Sequence, residues 1–374
     1  MKRIFFNMFL AVAAVASVMS CSRAKGSDPS REGDTLTAES QLLSLVDYGD
    51  YLIADVRNPW VDSLPLLERY VLVGRDFTGD LPEGTVVRVP LESSVVYSSV
   101  HGGAVNELGA IASIKGVADG QYFMNADIAG RIRDGRIADV GNSMSPSVEM
   151  IVELDPDAIL LSPFQNKESG AVTKLGVPVM QLVDYMEATP LGRAEWIKLL
   201  GALYGQRERA DSIYAAVLGD YRRLSDSVAS VAGEGPVVLT EQPMSSGEWN
   251  VPAGGSYMAR MLSDAGGRYP WSMTEGAGSL KLDAAAVLDK AEMADFWLIR
   301  SFGPMTLAGL KESNPLNGHF KAVGDGGVYV CDTSVSPLFD EFPFHPERLL
   351  RDYAIIFHPA LFPGERLRYF NQLK

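Results

Sequence analysis

Hydrophobic and polar positions along this chain fall into successive patterns. Between Tyr51 and Ser99 the apolar residues come in short runs, YLIADV, RYVLVG and TVVRVPLESSVVYSS, separated by Asn58-Pro59 and by Gly79-Asp80-Leu81-Pro82-Glu83-Gly84. Runs rich in β-branched and aromatic residues between turn formers predict strands joined by turns. From Val95 the pattern becomes strand, helix, strand: VVYSS, AVNELGA and IKGVAD, then SVEMIVEL, DAILLS, VTKLG and VPVMQL. That alternation predicts parallel βα units. From Pro190 to about Val231 apolar residues such as Trp196, Leu199, Leu203, Tyr214, Val217, Tyr221 and Val228 recur at helical spacing, with Gly205 as an interruption. Even in two pieces the segment would span roughly 55 Å. It either bridges two lobes or forms two packing helices within one domain. After Gly233-Glu234-Gly235-Pro236 the α/β pattern restarts with VVLTEQ, a helix near 256–265, LDAAAVLDKAEMADFWLIRSF and GVYVCD.

Segments 145–164 and 282–302 share one design: an amphipathic helix, an acidic break, an apolar strand (AILL, FWLI) and a polar, aromatic loop. The expected fold is therefore α/β, two Rossmann-like α/β lobes with a ligand cleft between them, joined by a long helix. The expected divisions are an N-terminal lobe with a β-rich extension (41–189), an interlobe helix (190–232) and a C-terminal lobe (233–374). Ligands of open α/β sheets sit beyond the carboxyl ends of the strands. Tyr97, Ser98, Ser99 and His101 follow one strand, Asp119, Gln121 and Tyr122 a second, Ser162-Pro163-Phe164 a third, and Asp184 with Tyr185 a fourth. Phe164 and Phe302 should then face one ligand from opposite sides.

Residues 241–271 place Trp249, Tyr257, Tyr269 and Trp271 among glycines and prolines. Rings on loops suit a flat or bulky ligand, because they offer contact area at low entropic cost. Trp249 and Trp271 join the candidate ligand-binding residues on that ground, whereas Tyr257 and Tyr269 also read as core residues that bond through their hydroxyls. Arg300 ends a strand and would meet either a ligand's negative charge or an ion-pair partner within its own lobe.

Length strengthens the two-lobe reading, since 374 residues exceed what one core usually supports. Lys2 and Arg3 precede an apolar stretch from Ile4 to Val18 that ends Val18-Met19-Ser20-Cys21. Residues 1–20 read as a signal peptide. The final letters resemble a lipobox with an unusually large Met19, which would make Cys21 the lipidated N-terminus; an ordinary cleaved signal with an incidental cysteine is the alternative. Residues 21–40 are polar and read as a flexible tether. With Cys21 lipidated only Cys331 remains, so no internal disulfide is expected. Removing Lys2 and Arg3 takes the formal charge of −14 two units lower, to −16, which argues against nucleic acid as a partner.

The chain contains no G-x-S-x-G, P-loop or H-E-x-x-H motif, and GDGG at 324–327 lacks dinucleotide-site spacing. His101, His319, His345 and His358 form no short ligand pair. No catalytic residue, resident metal or cofactor is expected.

Together these residues resemble the substrate-binding proteins of ABC importers for iron chelates and cobalamin, the helix-linked class of periplasmic binding proteins. The resemblance covers about residues 90–360. It rests on VVYSS at 95–99, SPSVEMIVELDPDAILLS, the W-x-V-P-x-G-G-S-Y run from Trp249 to Tyr257, DAGG-x-Y-P-W and HPERLLRDYAIIFHPALFP. The block from Asp47 to Asp76 is similar to an N-terminal extension of lipoprotein members. The resemblance implies a monomer that captures a siderophore, haem or a corrinoid and delivers it to a permease in the inner membrane. Its place would be the cell envelope, periplasmic or extracytoplasmic, held to a membrane by its lipid. In that family a glutamate on each lobe docks on the permease. Glu149 matches the first; Ala285 stands where the second is expected, with Asp283 or Glu292 as substitutes. Two rivals stay open: an exported enzyme or metal-chelatase-like protein using His101, Asp184 and Glu241, and a structural surface lipoprotein without a cleft.

Overall fold

A computed structural model describes residues 32–61, 63–164, 170–231, 233–244 and 246–374. The signal peptide, Cys21 and tether residues 21–31 lie outside the described residues.

The β-rich extension is a five-stranded sheet of β1 (Asp34–Thr35), β2 (Leu43–Asp47), β3 (Tyr51–Arg57), β4 (Leu66–Gly74) and β5 (Thr85–Val89), paired in that order. Pairing is antiparallel except between β4 and β5. Residues 32–40 correct the tether expectation. Asp34 and Thr35 pair with β2, and the next residues dock on two buried carboxylates. Glu195 Oε2 accepts from the backbone N–H groups of Ala38, Glu39 and Ser40 at 2.9, 2.8 and 2.9 Å. Glu187 accepts from the Gln41 and Leu42 N–H groups, both at 3.0 Å, and from the Ser40 hydroxyl. Polar letters suggested solvated chain, but here their backbone donors satisfy carboxylates that would be costly to bury alone.

The first lobe is an all-parallel sheet built from β6 (Ser94–Val96), β7 (Ile114–Val117), β8 (Ala138–Asp139), β9 (Ala158–Leu161) and β10 (Val179–Gln181), in the order β10-β9-β6-β7-β8. Its helices are α1 (Ser99–Glu107), α2 (Ala126–Arg133) and α3 (Val148–Leu154). Interior β9, read in the sequence as AILL, is buried along its whole length, as befits a strand covered on both faces. The extension covers the outer edge of this sheet. The buried Tyr70 hydroxyl donates to Val179 O at 2.9 Å and accepts from the Gln181 N–H at 2.8 Å, satisfying groups that an edge strand leaves open.

The helical segment that follows comprises α4 (Pro190–Glu195), α5 (Ile197–Leu203) and α6 (Arg207–Ala229). Gly205 interrupts it with φ of 67°, and a further break falls at Trp196. The straight span of the sequence reading is not realised, because α5 packs against α6. A Cβ on Gly201 would lie 2.4 Å from the Cβ of Ala210, so only glycine allows that approach. The segment still contacts both lobes: α5 meets α1, whereas α4 and α6 meet the helices of the second half.

The second lobe contains β11 (Val238–Thr240), an antiparallel ribbon of β12 (Trp249–Pro252) and β13 (Ser279–Leu282), then β14 (Phe296–Ser301), β15 (Val328–Asp332) and β16 (Asn371–Gln372). Its main sheet runs β11-β14-β15-β16, parallel except for β16. Helices α7 (Tyr257–Asp264), α8 (Ala284–Ala291), α9 (Leu307–Ser313), α10 (Lys321–Asp325), α11 (Leu338–Glu341) and α12 (Pro346–Phe357) surround it. The lobes touch where α1 crosses α11. A Cβ on Gly103 would come within 2.8 Å of Asp340 O, so glycine again sets the distance.

Candidate functional site

The strand ends of the two sheets meet at a compound cleft. A cavity of about 270 Å³ lies between the lobes, walled by Ser99, Tyr122 and Met124 from the first and by Phe302, Phe339 and Asp340 from the second. Val100 separates it from a cavity of about 330 Å³ against His101, Phe164, Asp184 and Tyr185. Phe164, Ser98 and Ser162 in turn separate that one from a cavity of about 530 Å³ beneath Tyr97 and Met144. The walls are the loops and helix starts that follow the strands of the two parallel sheets, together with α11 and Arg193 of α4.

Tyr122 and Phe302 project into this cleft from opposite lobes, with ring centroids 6.3 Å apart and an interplanar angle of 78°. They are 55% and 75% exposed, and Phe164 is 77% exposed. Large apolar rings left in water and gathered at a cleft mark a binding surface. The sequence placed Phe164 and Phe302 opposite one another; the ring that meets Phe302 is Tyr122.

Beneath the rings runs a buried polar chain. His101 Nε2 is 2.9 Å from Asp184 Oδ1, and Arg193 Nε donates to Asp184 Oδ2 at 3.0 Å. Arg193 then donates to the Tyr257 hydroxyl at 2.6 Å, so α4 ties the first lobe's strand ends to α7 of the second. Burial alone would raise the Asp184 carboxyl; the Arg193 guanidinium and the contact with His101 outweigh burial and hold it below the ordinary carboxylate range. Asp184 is therefore an engaged anion and a poor base. His101 Nδ1 is buried without a partner. Tyr185 donates from its hydroxyl to Pro163 O at 2.5 Å, fixing the loop that carries Phe164.

Three candidates are corrected. Trp249, expected on an exposed loop, stands in β12 at 1% exposure, stacked on Trp297 at 5.6 Å and tilted against Phe320 at 6.0 Å. Trp271 is 4% exposed and packs edge-on against Tyr269. Neighbouring glycines and prolines build turns here, but both indoles are turned inward, Trp249 from the ribbon and Trp271 from the turn after α7, where their area stabilises the lobe. Arg300 is held by Glu241 in an ion pair within the second lobe. That pair also removes Glu241 from the enzyme reading: His101 and Asp184 converge, whereas Glu241 is spent elsewhere. Tyr257 and Tyr269 are hydroxyl-bonded packing residues, the latter donating to Pro252 O at 2.6 Å.

Asp340 was not visible in the sequence, because it lies in α11, a short helix several residues past its strand. The loop Thr333–Ser336 leading to it does follow the strand GVYVCD, and the strand-end rule would have found that loop. Burial pushes the Asp340 carboxyl up to about 6, against the opposing pull of the Ser99 hydroxyl and the Asn125 N–H. Its Oδ2 is buried and has no hydrogen-bond partner.

Away from the cleft, Glu149 is exposed at the second position of α3, after the N-cap Ser147. Ala285 holds the same position of α8, also exposed, after the N-cap Asp283. Asp283 accepts from the Ala286 N–H at 2.8 Å and so is occupied as a cap. Among the described residues, no group of three or more His, Cys, Asp or Glu converges as metal ligands, and no helix is long and apolar enough to cross a membrane.

A profile of the family described as "Periplasmic binding protein" matches residues 95–335. An uncharacterized lipoprotein of Methanocaldococcus jannaschii is 29% identical over 298 residues, covering 76% of this chain and 69% of its own. Among solved structures, a periplasmic haem-binding protein from Pseudomonas aeruginosa superposes with a TM-score of 0.59 at 18% identity, over 76% of this chain and 98% of its own. The molybdate periplasmic binding protein MolA of Haemophilus influenzae reaches 0.59 at 15% identity, over 75% and 90%. Two structures so alike in fold and so different in cargo leave the ligand to be argued from the cleft.

Proposed function

The chain belongs to the periplasmic binding protein family, whose members bind small ligands for ABC permeases and are not enzymes, and from that premise we propose that it captures an iron chelate, either a siderophore or haem, or a corrinoid. The observation that carries this reading is the meeting of the exposed Tyr122 and Phe302 rings across the lobes, with Phe164 beyond. Rings suit a ligand with broad apolar faces. A bare oxyanion would call for converging free donors, whereas the described lining of the interlobe cavity offers rings, hydroxyls and a carboxylate, and Arg193 in the adjoining cavity is already held by Asp184.

In this reading Tyr97, Ser99, His101 and Tyr185 line the pocket around the ligand, and Glu149 docks on the permease. On the second lobe Ala285 offers no carboxylate, and docking there falls to a neighbour such as Glu292. Export through the N-terminal signal and lipidation at Cys21 would hold the monomer at the membrane that carries its permease. The sequence pattern and the lipoprotein relative support that placement.

Calorimetric titration of residues 22–374 with a panel of ferric siderophores, haem and cobalamin tests the proposal. One ligand should bind saturably at one site, and Tyr122→Ala and Phe302→Ala should each weaken it about tenfold, as loss of a stacked ring costs roughly 1 kcal/mol or more. Binding that ignores both rings, or no binding across the panel, would remove the reading.

A further inference from the structure

The interlobe cavity combines features that the general reading leaves unused. Asp340 is a carboxylate at its wall with one oxygen, Oδ2, buried and unpartnered. Leaving such an acceptor unmade is costly, so a donor that reaches it is rewarded twice, by the bond and by relief of the penalty. Tyr122, Phe302 and Phe339 stand around the same space. Aromatic rings attract cations through their faces, and a carboxylate among rings is the arrangement that recognises ammonium groups. The Ser99 hydroxyl and the Asn125 N–H, both from the first lobe, also act on this carboxyl.

The rest of the cleft agrees in charge. Among the described residues lining its three cavities, Arg193 is the one arginine or lysine, and Asp184 and the Tyr257 hydroxyl hold it. These described residues offer a polyanionic ligand no free counter-charge, and Asp340 would meet it as a like charge.

Resting on the carrier reading above, we propose that the cleft selects a chelate of zero or positive net charge that turns an ammonium or amide N–H donor onto Asp340. At about 270 Å³ the interlobe cavity admits an arm of such a ligand, while the cavity of about 530 Å³ on the far side of the His101 cavity receives its body.

The test uses four probes on the 22–374 chain: a ferric tris(hydroxamate) with a free ammonium arm, its N-acetylated neutral analogue, a ferric tris(catecholate) trianion, and cobalamin, whose amides supply neutral N–H donors. The ammonium form should bind about tenfold more tightly than the acetylated form, the worth of one charge-assisted hydrogen bond. Asp340→Asn should erase that difference, and the trianion should not bind. A measurement on the unaltered chain guards against misfolding of the variant: affinity for the ammonium form should fall as pH drops below about 6, where Asp340 takes up a proton, while affinity for the acetylated form should not. Equal binding of the two hydroxamates, tight binding of the trianion, or cobalamin binding indifferent to Asp340→Asn would overturn the inference and leave the carrier reading standing. Failure of all four probes, together with haem, would remove both.

Discussion

His345 Nε2 lies 2.8 Å from Glu107 Oε2, joining the residue that precedes α12 in the second lobe to the last residue of α1 in the first. Its Nδ1 faces Glu347 Oε1 at 2.9 Å, so the imidazole is held between two carboxylates. This clasp sits on the same pair of lobes whose contact at Gly103 and Asp340 floors the cleft.

Burial would lower the His345 pKa, but the two carboxylates outweigh it and raise it to about 9. A pKa raised on folding contributes stability that is complete below the unfolded value of about 6.5 and is lost as pH rises through the folded value. Glu107 bounds the acid side: burial opposes and His345 favours its anion, the net effect is a lowered pKa, and its contribution disappears on strong acidification. Urea unfolding of the native chain and of His345→Gln should therefore differ most near pH 6, by about 2 kcal/mol for a lost charge-assisted bond. The gap should close by about pH 10. A gap that is constant with pH would show that the ring acts by packing alone.

Trp249→Ala should act on the fold. Removing a buried indole from the Trp297 and Phe320 cluster costs about 3–5 kcal/mol. Thermal unfolding should shift sharply downward, while ligand affinity, measured where the variant remains folded, should stay within about twofold because the indole reaches none of the three cavities. A large affinity loss in a fully folded variant would return Trp249 to the ligand.

Glu149→Arg should leave ligand affinity unchanged and cut ligand-dependent ATP hydrolysis by the cognate ABC permease, since an exposed side chain on the outside of α3 touches no part of the cleft. Ala285→Glu, at the matching place on α8, should raise that stimulation. Unaltered ATPase rates for both variants would mean that docking uses another surface.

The sequence made the layered architecture legible because buried parallel strands announce themselves as short apolar runs such as AILL and FWLI. Strand-end geometry then placed Ser99, His101, Tyr122, Phe164 and Phe302 at one cleft, through loops that need only the right strand before them. Ring orientation was not legible. Trp249 and Phe302 both sit beside glycines, yet one turns into the ribbon and the other into water, a choice made by partners more than 40 positions away such as Trp297. Arg300 was ambiguous for the same reason, since its partner Glu241 follows a different strand, β11. Asp340 escaped because its importance comes from Ser99 and Asn125, which the chain brings to it across the lobe boundary.

Glu187, just before α4, and Glu195, at its end, receive the backbone of residues 38–42. Arg193, two residues before Glu195, is the group that links Asp184 to Tyr257 and hence one lobe to the other. Residues 38–42 are thus joined, through α4, to the polar chain that links the two lobes beneath the cleft.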